Sequence, residues 1–595
     1  MNLLRALLAC SAWMMLLPVS GAGAPRPNIV VLLADDMGWG DLSLHGNTNL
    51  HTPNLDALAR SGAQFDRFYV CSVCAPTRAE FFTGRYHARG GVRGVSTGEE
   101  RLNLDERTIG DVFKAAGYAT GAFGKWHNGS QWPYHPNARG FDDYYGFTSG
   151  HWGEYFDAPL EHNGRFLRGH GYTSDDFASH ALELIERHRA GPFLCYVPFN
   201  VPHSPFCAPQ EDWARFKDKP IALRGGEGPR EPVDITRAAL AMVENMDRNI
   251  GRVLRRLDEL ALAENTIVLF FTDNGPNSGR WNGGMKGRKG SVDEGGVRSP
   301  LFLRWPGRIQ PGTAVREITG AIDLLPTLAK LAGVPLSVAK PLDGRDVSPL
   351  LSGTTKDWPE RMIFSLQAGR VSVRTQRHRL DDAGALFDMV ADPGQSTDLA
   401  KAQPQLAAKL SKAVADWRKD VFGGERPGRD DRPFPVGYAE FPMTPLPARD
   451  GVPRGEVRRS AAAPNCSYFV NWTGTNDAMS WDIEVHTAGS YDVVLHYTCP
   501  EADAGATIEL AFRDARLTGK VAPGWDPPLI TGQDVIPRPK GESVMKEFRP
   551  LPLGTLRLDP GRAPLTLRAL DIPGRSVMDL RLVTLTLRNP PASAP

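Results

Sequence analysis

The chain has 595 residues, which is too long for one ordinary domain, so two or three domains are expected. Hydrophobic residues make up 41% of the chain and charged residues 23%, a balance typical of a soluble globular protein. The formal net charge of +1 gives no reason to expect nucleic acid as a partner.

The N-terminus has the pattern of a secretory signal peptide over residues 1–24. Met1–Arg5 carries a basic residue, apolar residues continue to Leu17, and Ser20–Ala24 ends in small residues. This pattern indicates export to the periplasm or the medium and not a membrane span. Cys10 raises the alternative of a lipoprotein, but the apolar run continues past it, so cleavage before Cys10 is not expected.

Seven cysteines are few for an exported chain of this length, so disulfides are not expected to hold the fold together. Cys466 and Cys499 lie in the same C-terminal region and could form a pair. The sequence does not give their separation, so the pairing stays open.

Two apolar runs, Asn28–Asp36 and Thr266–Asn274, each end in two side chains that carry oxygen. Such runs are typical of central strands in a parallel sheet, and ligands bind at the carboxyl ends of those strands. Adjacent acids repel each other unless a cation neutralises them. The alternative for Asp35 is a helix N-cap, which explains one acid better than two. An oxygen-rich site of this kind suits Ca²⁺ or Mg²⁺ better than zinc. Its predicted ligands are Asp35, Asp36, Asp273 and Asn274.

The segment Cys71–Tyr86 reads CSVCAPTRAEFFTGRY. Pro76 suits the first turn of a helix, which places Cys74 just before the helix N-terminus. A thiol at that point faces unpaired N–H groups and is polarised. The alternative is that Cys74 is a small buried apolar residue, as most free cysteines are.

Three further segments place cationic side chains at or near predicted strand ends. Gly124-Lys125-Trp126-His127 follows a short apolar strand, and Val201-Pro202-His203-Ser204-Pro205 follows a strand over Phe193–Asn200. Gly287–Arg298 reads GRKGSVDEGGVR. For each segment the alternative is structural: a histidine without a chemical role in the first two, and a surface loop in the third.

The segment Arg139–Gly164 is rich in aromatic residues, with histidines and acidic residues between them. Aromatic faces stack on sugar rings and polar neighbours bind hydroxyls, so this segment is a candidate specificity pocket. We expect Phe141, Tyr144 and Phe147 to be core residues. For His151, Trp152 and Glu154, substrate contact and a structural role both stay open.

Composition and periodicity divide the chain into five parts. After the α/β region the sequence becomes more polar, then rich in Pro, Gly and Arg, and finally alternates with a period of two. The alternation predicts short antiparallel strands in a β-sandwich. The predicted parts are a signal peptide (1–24), an α/β domain (25–335), a small subdomain (336–422), a linker (423–460) and an accessory β-sandwich (461–595).

Six motifs in the range 26–420 resemble, in order, those of the formylglycine-dependent sulfatases of the alkaline phosphatase superfamily. They are Asp35-Asp36, Cys74-Ala75-Pro76-Thr77-Arg78 with Thr83-Gly84-Arg85, Gly124-Lys125-Trp126-His127, Pro202-His203-Ser204-Pro205, Asp273-Asn274, and Lys289-Gly290 with Glu294-Gly295-Gly296-Val297-Arg298. The resemblance implies an α/β fold with a mixed, mostly parallel sheet flanked by helices, followed by a small antiparallel α+β subdomain. The C-terminal part looks like the β-sandwich modules of secreted carbohydrate-active enzymes, as a glycan-binding module or a structural cap.

The resemblance also implies the roles of individual residues. Cys74 would be oxidised to formylglycine by a formylglycine-generating or anaerobic maturation enzyme, and its hydrated aldehyde would be the nucleophile and a metal ligand. The family favours Ca²⁺ over Mg²⁺ at the four oxygen ligands. Arg78 would order the aldehyde. After the sulfate has been transferred, His127 would take a proton from the remaining hydroxyl, so that the sulfated hemiacetal collapses to aldehyde and sulfate. The implied sulfate-binding residues are Lys125, His203 and Lys289, with His203 protonating the leaving oxygen, and the family register selects Lys289 over Lys286. Asn128 departs from the family, which commonly has an apolar residue there.

Together these features predict a sulfuric ester hydrolase that acts on a sulfated carbohydrate or an aryl sulfate. Two alternatives remain at this stage. One is a phosphonate or phosphate monoester hydrolase of the same superfamily, and the other is a non-catalytic glycan-binding protein in which Cys74 is never oxidised. Neither nucleic acid nor a membrane span is expected.

Overall fold

The computed structural model describes residues 26–225, 231–352, 357–423 and 430–590. The predicted signal peptide lies outside these residues. Among them, no helix has the length and apolar character needed to cross a membrane. The described chain forms an α/β part, a small antiparallel subdomain and a C-terminal pair of β-sheets.

Among the described residues, the α/β part contains the first thirteen strands and nine helices. Its strands are β1 (Asn28–Ala34), β2 (Ala63–Phe65), β3 (Phe68–Tyr69), β4 (Ala119–Lys125), β5 (Asp143–Phe147), β6 (Pro159–His162), β7 (Arg165–Arg168), β8 (Phe193–Pro198), β9 (Thr266–Thr272), β10 (Arg298–Ser299), β11 (Leu301–Arg304), β12 (Thr313–Val315) and β13 (Thr319–Gly320). Its helices are α1 (Pro53–Arg60), α2 (Cys74–Thr83), α3 (Ile109–Ala115), α4 (Thr173–Arg187), α5 (Gln210–Phe216), α6 (Val233–Glu259), α7 (Glu294–Val297), α8 (Leu324–Leu331) and α9 (Ser348–Leu351).

Ten of these strands form one sheet in the order β12-β2-β11-β9-β1-β8-β4-β5-β6-β7. The five neighbours from β9 to β5 are parallel, and antiparallel strands flank them. The central strand β1 is buried along its whole length because both of its faces are covered. The carboxyl ends of β9, β1, β8 and β4 therefore meet at one edge of the sheet.

Helices cover both faces of the large sheet. On one face, Val30 and Leu32 of β1 share a core with α1, α4 and α6. On the other face, Val31 and Leu33 share a core with α2, α3 and α8. The alternation of side chains along β1 thus separates the two cores.

The small subdomain is a four-stranded antiparallel sheet closed by one helix. Leu410 of the helix packs on Val373 and Leu386 of the sheet. The elements are β14 (Ile363–Gln367), β15 (Arg370–Arg374), β16 (His378–Leu380), β17 (Leu386–Asp388) and α10 (Pro404–Phe422).

The C-terminal part consists of two six-stranded sheets that share one hydrophobic core. Trp481 and Ile483 from one sheet and Val493 and Leu495 from the other are all buried in this core. The strands are β18 (Phe434–Val436), β19 (Met443–Pro447), β20 (Val452–Arg454), β21 (Arg458–Arg459), β22 (Phe469–Val470), β23 (Ala478–Val485), β24 (Gly489–Thr498), β25 (Thr507–Phe512), β26 (Ala515–Lys520), β27 (Arg549–Leu558), β28 (Gly561–Asp571) and β29 (Asp579–Leu587). The predicted fold class, including the sandwich, is confirmed.

The predicted linker over 423–460 is wrong. Its described part, from residue 430 onward, contains β18 to β21, and Leu446 is fully buried in the sandwich core. The prolines that suggested a linker lie in short strands: Pro435 in β18, Pro445 and Pro447 in β19, and Pro453 in β20. β18 lies at the end of its sheet, and β19 and β20 pair beside the main strand order, positions that tolerate a residue without an N–H donor.

The possible Cys466–Cys499 pair is not formed, since all six cysteines in the described part of the chain are free thiols. Cys466 donates to the carbonyl oxygen of His151 at 2.8 Å, at the boundary with the α/β part. Cys499 lies in the sandwich core. The two residues therefore belong to different environments.

Candidate active site

The sequence-predicted metal ligands come together at the carboxyl edge of the large sheet. Asp35 and Asp36 follow β1, while Asp273 and Asn274 follow β9, and all four are fully buried. The backbone N–H of Asp36 donates to Oδ1 of Asp273 at 3.2 Å. Asp36 has a positive φ of 66°, an unfavourable conformation for an aspartate that is typical of functional turns.

Three cationic side chains pair with the three carboxylates. Lys125 Nζ lies 2.6 Å from Oδ2 of Asp35, and Lys289 Nζ lies 2.7 Å from Oδ1 of Asp36. Nη2 of Arg78 lies 2.8 Å from Oδ2 of Asp273, and both side chains are fully buried. These residues, drawn from four distant parts of the sequence, form one charged cluster.

The carboxylates of this cluster differ in their affinity for protons. Burial alone would raise the pKa of Asp35, but Lys125 and other nearby positive charges, among them Arg78 and Lys289, outweigh it, so that this pKa lies well below its ordinary value. Burial and the negative charge of Asp35 raise the pKa of Asp273 to about 7. The cluster therefore has room for additional positive charge beside Asp273.

The donor atoms fit a hard divalent cation. Oδ1 of Asn274 is buried and has no hydrogen-bond partner among the described residues, while its Nδ2 donates to Oδ1 of Asp36 at 2.8 Å. Ligand atoms of Asp35, Asp36, Cys74 and His203 all lie within 4.8 Å of one another. That group offers two carboxylates, a thiol and an imidazole, and Asp273 and Asn274 add a carboxylate and an amide oxygen from the end of β9. Carboxylate and amide oxygens are the donors that Ca²⁺ and Mg²⁺ prefer.

Cys74 is the first residue of α2, one position further into the helix than expected, and Val73 is the N-cap. The Cys74 Sγ lies 3.4 Å from Oδ1 of Asp35. Thr77 fixes the helix start, since its hydroxyl donates to the carbonyl oxygen of Asp273 at 2.6 Å and accepts from the N–H of Cys71 at 2.8 Å. Burial raises the pKa of the Cys74 thiol despite Lys125 and Lys289, so the unmodified cysteine is a poor source of thiolate.

His127 has the features of a buried base. Its Nε2 lies 2.8 Å from the carbonyl oxygen of Val95, so Nε2 carries the proton in the neutral ring. Its Nδ1 is buried without a hydrogen-bond partner in the described chain. Burial and, next, Lys125 hold the pKa of His127 well below its ordinary value. The ring is therefore neutral and has a free lone pair on Nδ1.

His203 is oriented by its own loop. Its Nδ1 lies 2.6 Å from the carbonyl oxygen of Ser204, which leaves Nε2 facing Oδ2 of Asp36 at 3.5 Å. Burial lowers the pKa of His203 to about 4, against the effect of Asp36. The ring stacks on His151, with centroids 5.3 Å apart, so His151 lies at the edge of the same site.

Of the two candidate lysines in the Gly287–Arg298 segment, only Lys289 reaches the carboxylate cluster. Lys286 instead lies 3.4 Å from Asp293, and its side chain is 41% exposed. Asn128, the departure from the family pattern, donates to the carbonyl oxygen of Ala75 at 3.2 Å and thereby holds the residue after Cys74.

Three residues of the aromatic segment, Phe141, Tyr144 and Phe147, are buried, as predicted for core residues. Trp152 stacks on Phe147 at a centroid distance of 5.0 Å, and the guanidinium of Arg581 lies 5.2 Å from its ring. These three residues line a cavity of about 180 Å³ between the α/β part and the sandwich. Glu154 is buried and pairs with Arg581 at 3.3 Å.

The sandwich supplies two residues near the site that sequence reasoning missed. Asn465 Nδ2 lies 3.3 Å from the carbonyl oxygen of Val95, the same oxygen that binds His127. Glu542 accepts a hydrogen bond from the hydroxyl of Ser204, the neighbour of His203. Both contacts join residues more than three hundred positions apart, and no local pattern marks them.

Comparison with known proteins decides the family. The sulfatase family model matches residues 27–334, more than half of the chain. The chain belongs to the sulfatase family. A second model, described as N-sulphoglucosamine sulphohydrolase, C-terminal, matches residues 288–420 of the sulfatase, which include the small subdomain. The protein is therefore a sulfuric ester hydrolase of the alkaline phosphatase superfamily, as its motifs predicted.

Several relatives of this sulfatase have defined names. Human arylsulfatase A is 34% identical over 456 residues, covering 68% of this chain and 85% of that protein. The N-acetylgalactosamine-6-sulfatase of Canis lupus familiaris is 33% identical over 394 residues, covering 59% and 72%. The solved structure of Ps i-CgsB in complex with k-i-k-neocarrahexaose is 30% identical, with a TM-score of 0.61, and covers 67% of this chain and 93% of that one.

Proposed function

We propose that this sulfatase removes sulfate from a sulfated glycan outside the cytoplasm, with formylglycine at position 74 and Ca²⁺ at the carboxylate cluster. The observation that carries the proposal is the position of Cys74. It begins a buried helix beside Asp35, within a Cys-x-Pro-x-Arg motif, and burial raises its thiol pKa. The position favours chemistry by a modified side chain over chemistry by a thiolate.

The residues that would hold the cation are Asp35, Asp36, Asp273 and Asn274, with Mg²⁺ as the less favoured ion. When present, the cation would withdraw electron density from the sulfur of the ester, and the aldehyde hydrate would supply the attacking hydroxyl. Arg78 holds Asp273 through its Nη2 and donates through Nη1 to the carbonyl oxygen of Lys125 at 2.7 Å. It thereby fixes the carboxylate and the strand end that border position 74.

Lys125 and Lys289 provide the positive charge that a sulfate group requires. The ammonium of Lys125 lies against Asp35, and that of Lys289 lies against Asp36. A bound sulfate ester would draw hydrogen bonds from both, and these bonds would strengthen as negative charge develops on its oxygens.

The two histidines have opposite tasks. Neutral His127, with its free Nδ1, is suited to accept the proton of the hydroxyl that remains at position 74 after sulfate transfer. Loss of that proton would expel sulfate and restore the aldehyde. His203 is neutral in the free site, but a sulfate placed beside it would raise its pKa by adding negative charge. His203 would then hold a proton on Nε2, from which the leaving oxygen of the substrate can be protonated.

The glycan as substrate is supported by the relatives. One is named for N-acetylgalactosamine 6-sulfate, and the structure of Ps i-CgsB holds a neocarrahexaose. The predicted signal peptide supports export to the periplasm or the medium. The chain also shares its fold, at 21% identity and a TM-score of 0.50, with the phosphonate monoester hydrolase of Agrobacterium radiobacter. The substrate test must therefore include phosphorus esters.

Mass spectrometry of the peptide that contains Cys74 tests the modification. We expect the mass loss of a thiol converted to an aldehyde at Cys74, while Cys71, also buried and three residues away, keeps an alkylatable thiol. An unmodified Cys74 in protein without turnover would instead support a non-catalytic glycan-binding protein.

Relative rates on aryl sulfate, phosphate and phosphonate esters test the reaction. We expect the highest kcat/KM on the sulfate ester, with sulfated sugars also cleaved. A higher kcat/KM on the phosphonate ester would overturn the proposed substrate class and favour the phosphonate monoester hydrolase.

A further inference from the structure

The segment between β26 and β27, residues 521–548, leaves the sandwich and lies against the α/β part, which carries the active site. We call it the crossing loop. Gln533 Oε1 accepts from the backbone N–H of Tyr155 at 2.7 Å, and the N–H of Val535 donates to the carbonyl oxygen of Phe206 at 3.1 Å. These contacts reach the aromatic segment and the loop that follows His203. The crossing loop therefore forms a wall beside the active site.

The crossing loop is held on both of its sides. Arg538 donates to the carbonyl oxygen of Gly153 at 3.0 Å on the catalytic part, and to the carbonyl oxygen of Ser543 at 2.6 Å within the loop. Ser543 is buried and lies 2.6 Å, hydroxyl to hydroxyl, from Ser460 of the sandwich. The carbonyl oxygen of Gly541 accepts from the N–H of Ala463 at 2.8 Å. The backbone on both sides of Glu542 is thus fixed by hydrogen bonds.

Glu542 presents an unused acceptor next to the catalytic histidine. One carboxylate oxygen accepts from the hydroxyl of Ser204, the residue after His203. The other, Oε2, is buried and has no hydrogen-bond partner among the described residues. Burial raises the pKa of Glu542, against the hydrogen bond from Ser204 and the positive charge of Arg538. Lys289 and Asp36 act on it more weakly, so its carboxyl group also lies within the field of the sulfate site.

A carboxylate at this position opposes the reaction unless the substrate uses it. The substrate brings a negative sulfate, and a further negative charge nearby weakens its binding. A buried acceptor without a partner is also costly, and a donor on the substrate would remove that cost. The arrangement therefore favours a leaving group with a hydroxyl or amide N–H donor, and disfavours one with a second anionic group at this point.

We propose that Glu542 is a specificity-determining residue of this sulfatase, whose carboxylate accepts a hydrogen bond from a neutral sugar ring that carries the scissile sulfate. The accessory sandwich then contributes a residue to the substrate site. It is neither a separate glycan-binding module nor only a structural cap. This proposal rests on the proposed glycan sulfatase function and adds the substrate class, a sugar ring without a carboxylate or second sulfate beside Glu542.

The test compares Glu542→Ala and the isosteric Glu542→Gln on two kinds of substrate. The sugar probes are N-acetylgalactosamine 6-sulfate and the monosulfated regioisomers of galactose, and the small probe is 4-nitrophenyl sulfate. We expect Glu542→Ala to lower kcat/KM on the best sugar probe at least tenfold and to change the aryl sulfate value less than threefold. Glu542→Gln should lose less on the sugar, because its amide oxygen still accepts, and should gain on a disulfated sugar.

Glu547→Gln is the matched control, because Glu547 lies in the same crossing loop but its side chain is 51% exposed. It should leave both activities unchanged. If Glu542→Ala unfolds or loses both activities, Glu542→Gln becomes the decisive variant. A fall in its kcat/KM on the sugar probe, without a fall on 4-nitrophenyl sulfate, supports the proposal. Equal changes on both substrates with Glu542→Gln would overturn it. A wild-type enzyme that cleaves the aryl sulfate and none of the sugars would instead overturn the glycan function itself.

Discussion

Nδ2 of Asn274 donates to Oδ1 of Asp36 at 2.8 Å, and this bond ties the residue pair after β9 to the pair after β1. The acceptor atom of the amide, Oδ1, is buried and has no hydrogen-bond partner among the described residues. The free lone pairs of Asn274 Oδ1 beside the carboxylates support the proposed cation site.

Asn274→Ala should therefore weaken Ca²⁺ binding without unfolding the protein. The variant removes one ligand oxygen but leaves no buried charge unpaired, so we expect an affinity loss of at least about tenfold. Calorimetric titration and the rise of Tm on adding Ca²⁺ measure it. Asn265→Ala, at the opposite end of the same strand, is the control and should bind Ca²⁺ normally. Unchanged affinity in Asn274→Ala would remove Asn274 from the ligand set.

Asp273→Ala should have a larger effect, because Asp273 also pairs with Arg78 at 2.8 Å in a fully buried contact. Removing one partner of a buried pair leaves an uncompensated charge, which costs about 3–5 kcal/mol of unfolding free energy. We expect metal, activity and stability to be lost together, measured by metal content, turnover and urea unfolding. A variant that keeps stoichiometric Ca²⁺ would contradict the assigned ligands.

Cys74→Ala should abolish turnover and leave the fold intact. Its side chain is small and begins a helix that Thr77 already anchors, so we expect a Tm within a few degrees of the wild type. Cys195→Ala is the control: Cys195 is equally buried, lies in the middle of β8, and should keep full activity. Sulfatase activity retained by Cys74→Ala would contradict a nucleophile at position 74.

The residues at the carboxyl edge of the sheet could be predicted from the sequence, because each prediction depends only on one strand and the residues that directly follow it. A short apolar run rich in β-branched residues, such as Asn28–Ala34, is typical of a strand buried on both faces, and polar residues directly after such a strand lie at the sheet edge. Asp35 and Asp36 followed from that argument, and Asp273 followed from its repetition at β9. The parallel pairing of β1 with β9 brings both pairs together.

The contribution of the sandwich could not be predicted, because it depends on packing between distant parts of the chain. The prolines of β19 indicated a linker, whereas Leu446 between them is a buried core residue. Asn465 and Glu542 lie in segments without a regular pattern, and only tertiary contacts bring them to the histidines.

Glu294, the acid of the Glu-Gly-Gly motif, joins the catalytic part to the small subdomain. Its carboxylate lies 2.8 Å from Arg379 and 3.6 Å from Arg374, and accepts from the hydroxyl of Tyr69 at 2.9 Å. Burial would raise its pKa, but Arg379 and then Arg374 outweigh burial and lower the pKa to about 2. This stabilisation is fully present above the unfolded value of 4.5 and is lost as the pH falls through about 2.

Glu294→Gln should therefore lower the unfolding free energy by about 3 kcal/mol at pH 7, because the folded pKa of about 2 lies well below the unfolded value of 4.5. The difference between the variant and the wild type should narrow as the pH falls below about 4.5. Urea unfolding at pH 7, 5 and 3.5 measures it. If the difference in unfolding free energy between the variant and the wild type stays constant from pH 7 to pH 3.5, the ionised form of Glu294 is not what stabilises the fold.

Trp152 is the residue for which the structure changes the expected result most. The sequence left sugar contact and packing open, but the ring stacks on Phe147 and lies under Arg581 of the sandwich. Trp152→Ala should therefore cost about 2–3 kcal/mol of unfolding free energy, since the side chain is only partly buried. It should also lower kcat/KM on aryl sulfate and sulfated sugar by the same factor, because the packing of the sandwich against the α/β part beside the active site becomes looser.

The control is Trp213→Ala, because Trp213 is also partly buried but lies in α5. It should lose stability without changing kcat/KM on either substrate. A double-mutant cycle of Trp152→Ala with Arg581→Ala should give a coupling of about 1 kcal/mol, the size of a partly desolvated cation–π contact. A much larger loss on the sulfated sugar than on aryl sulfate, with no coupling to Arg581, would show that Trp152 binds the sugar and that its packing is incidental.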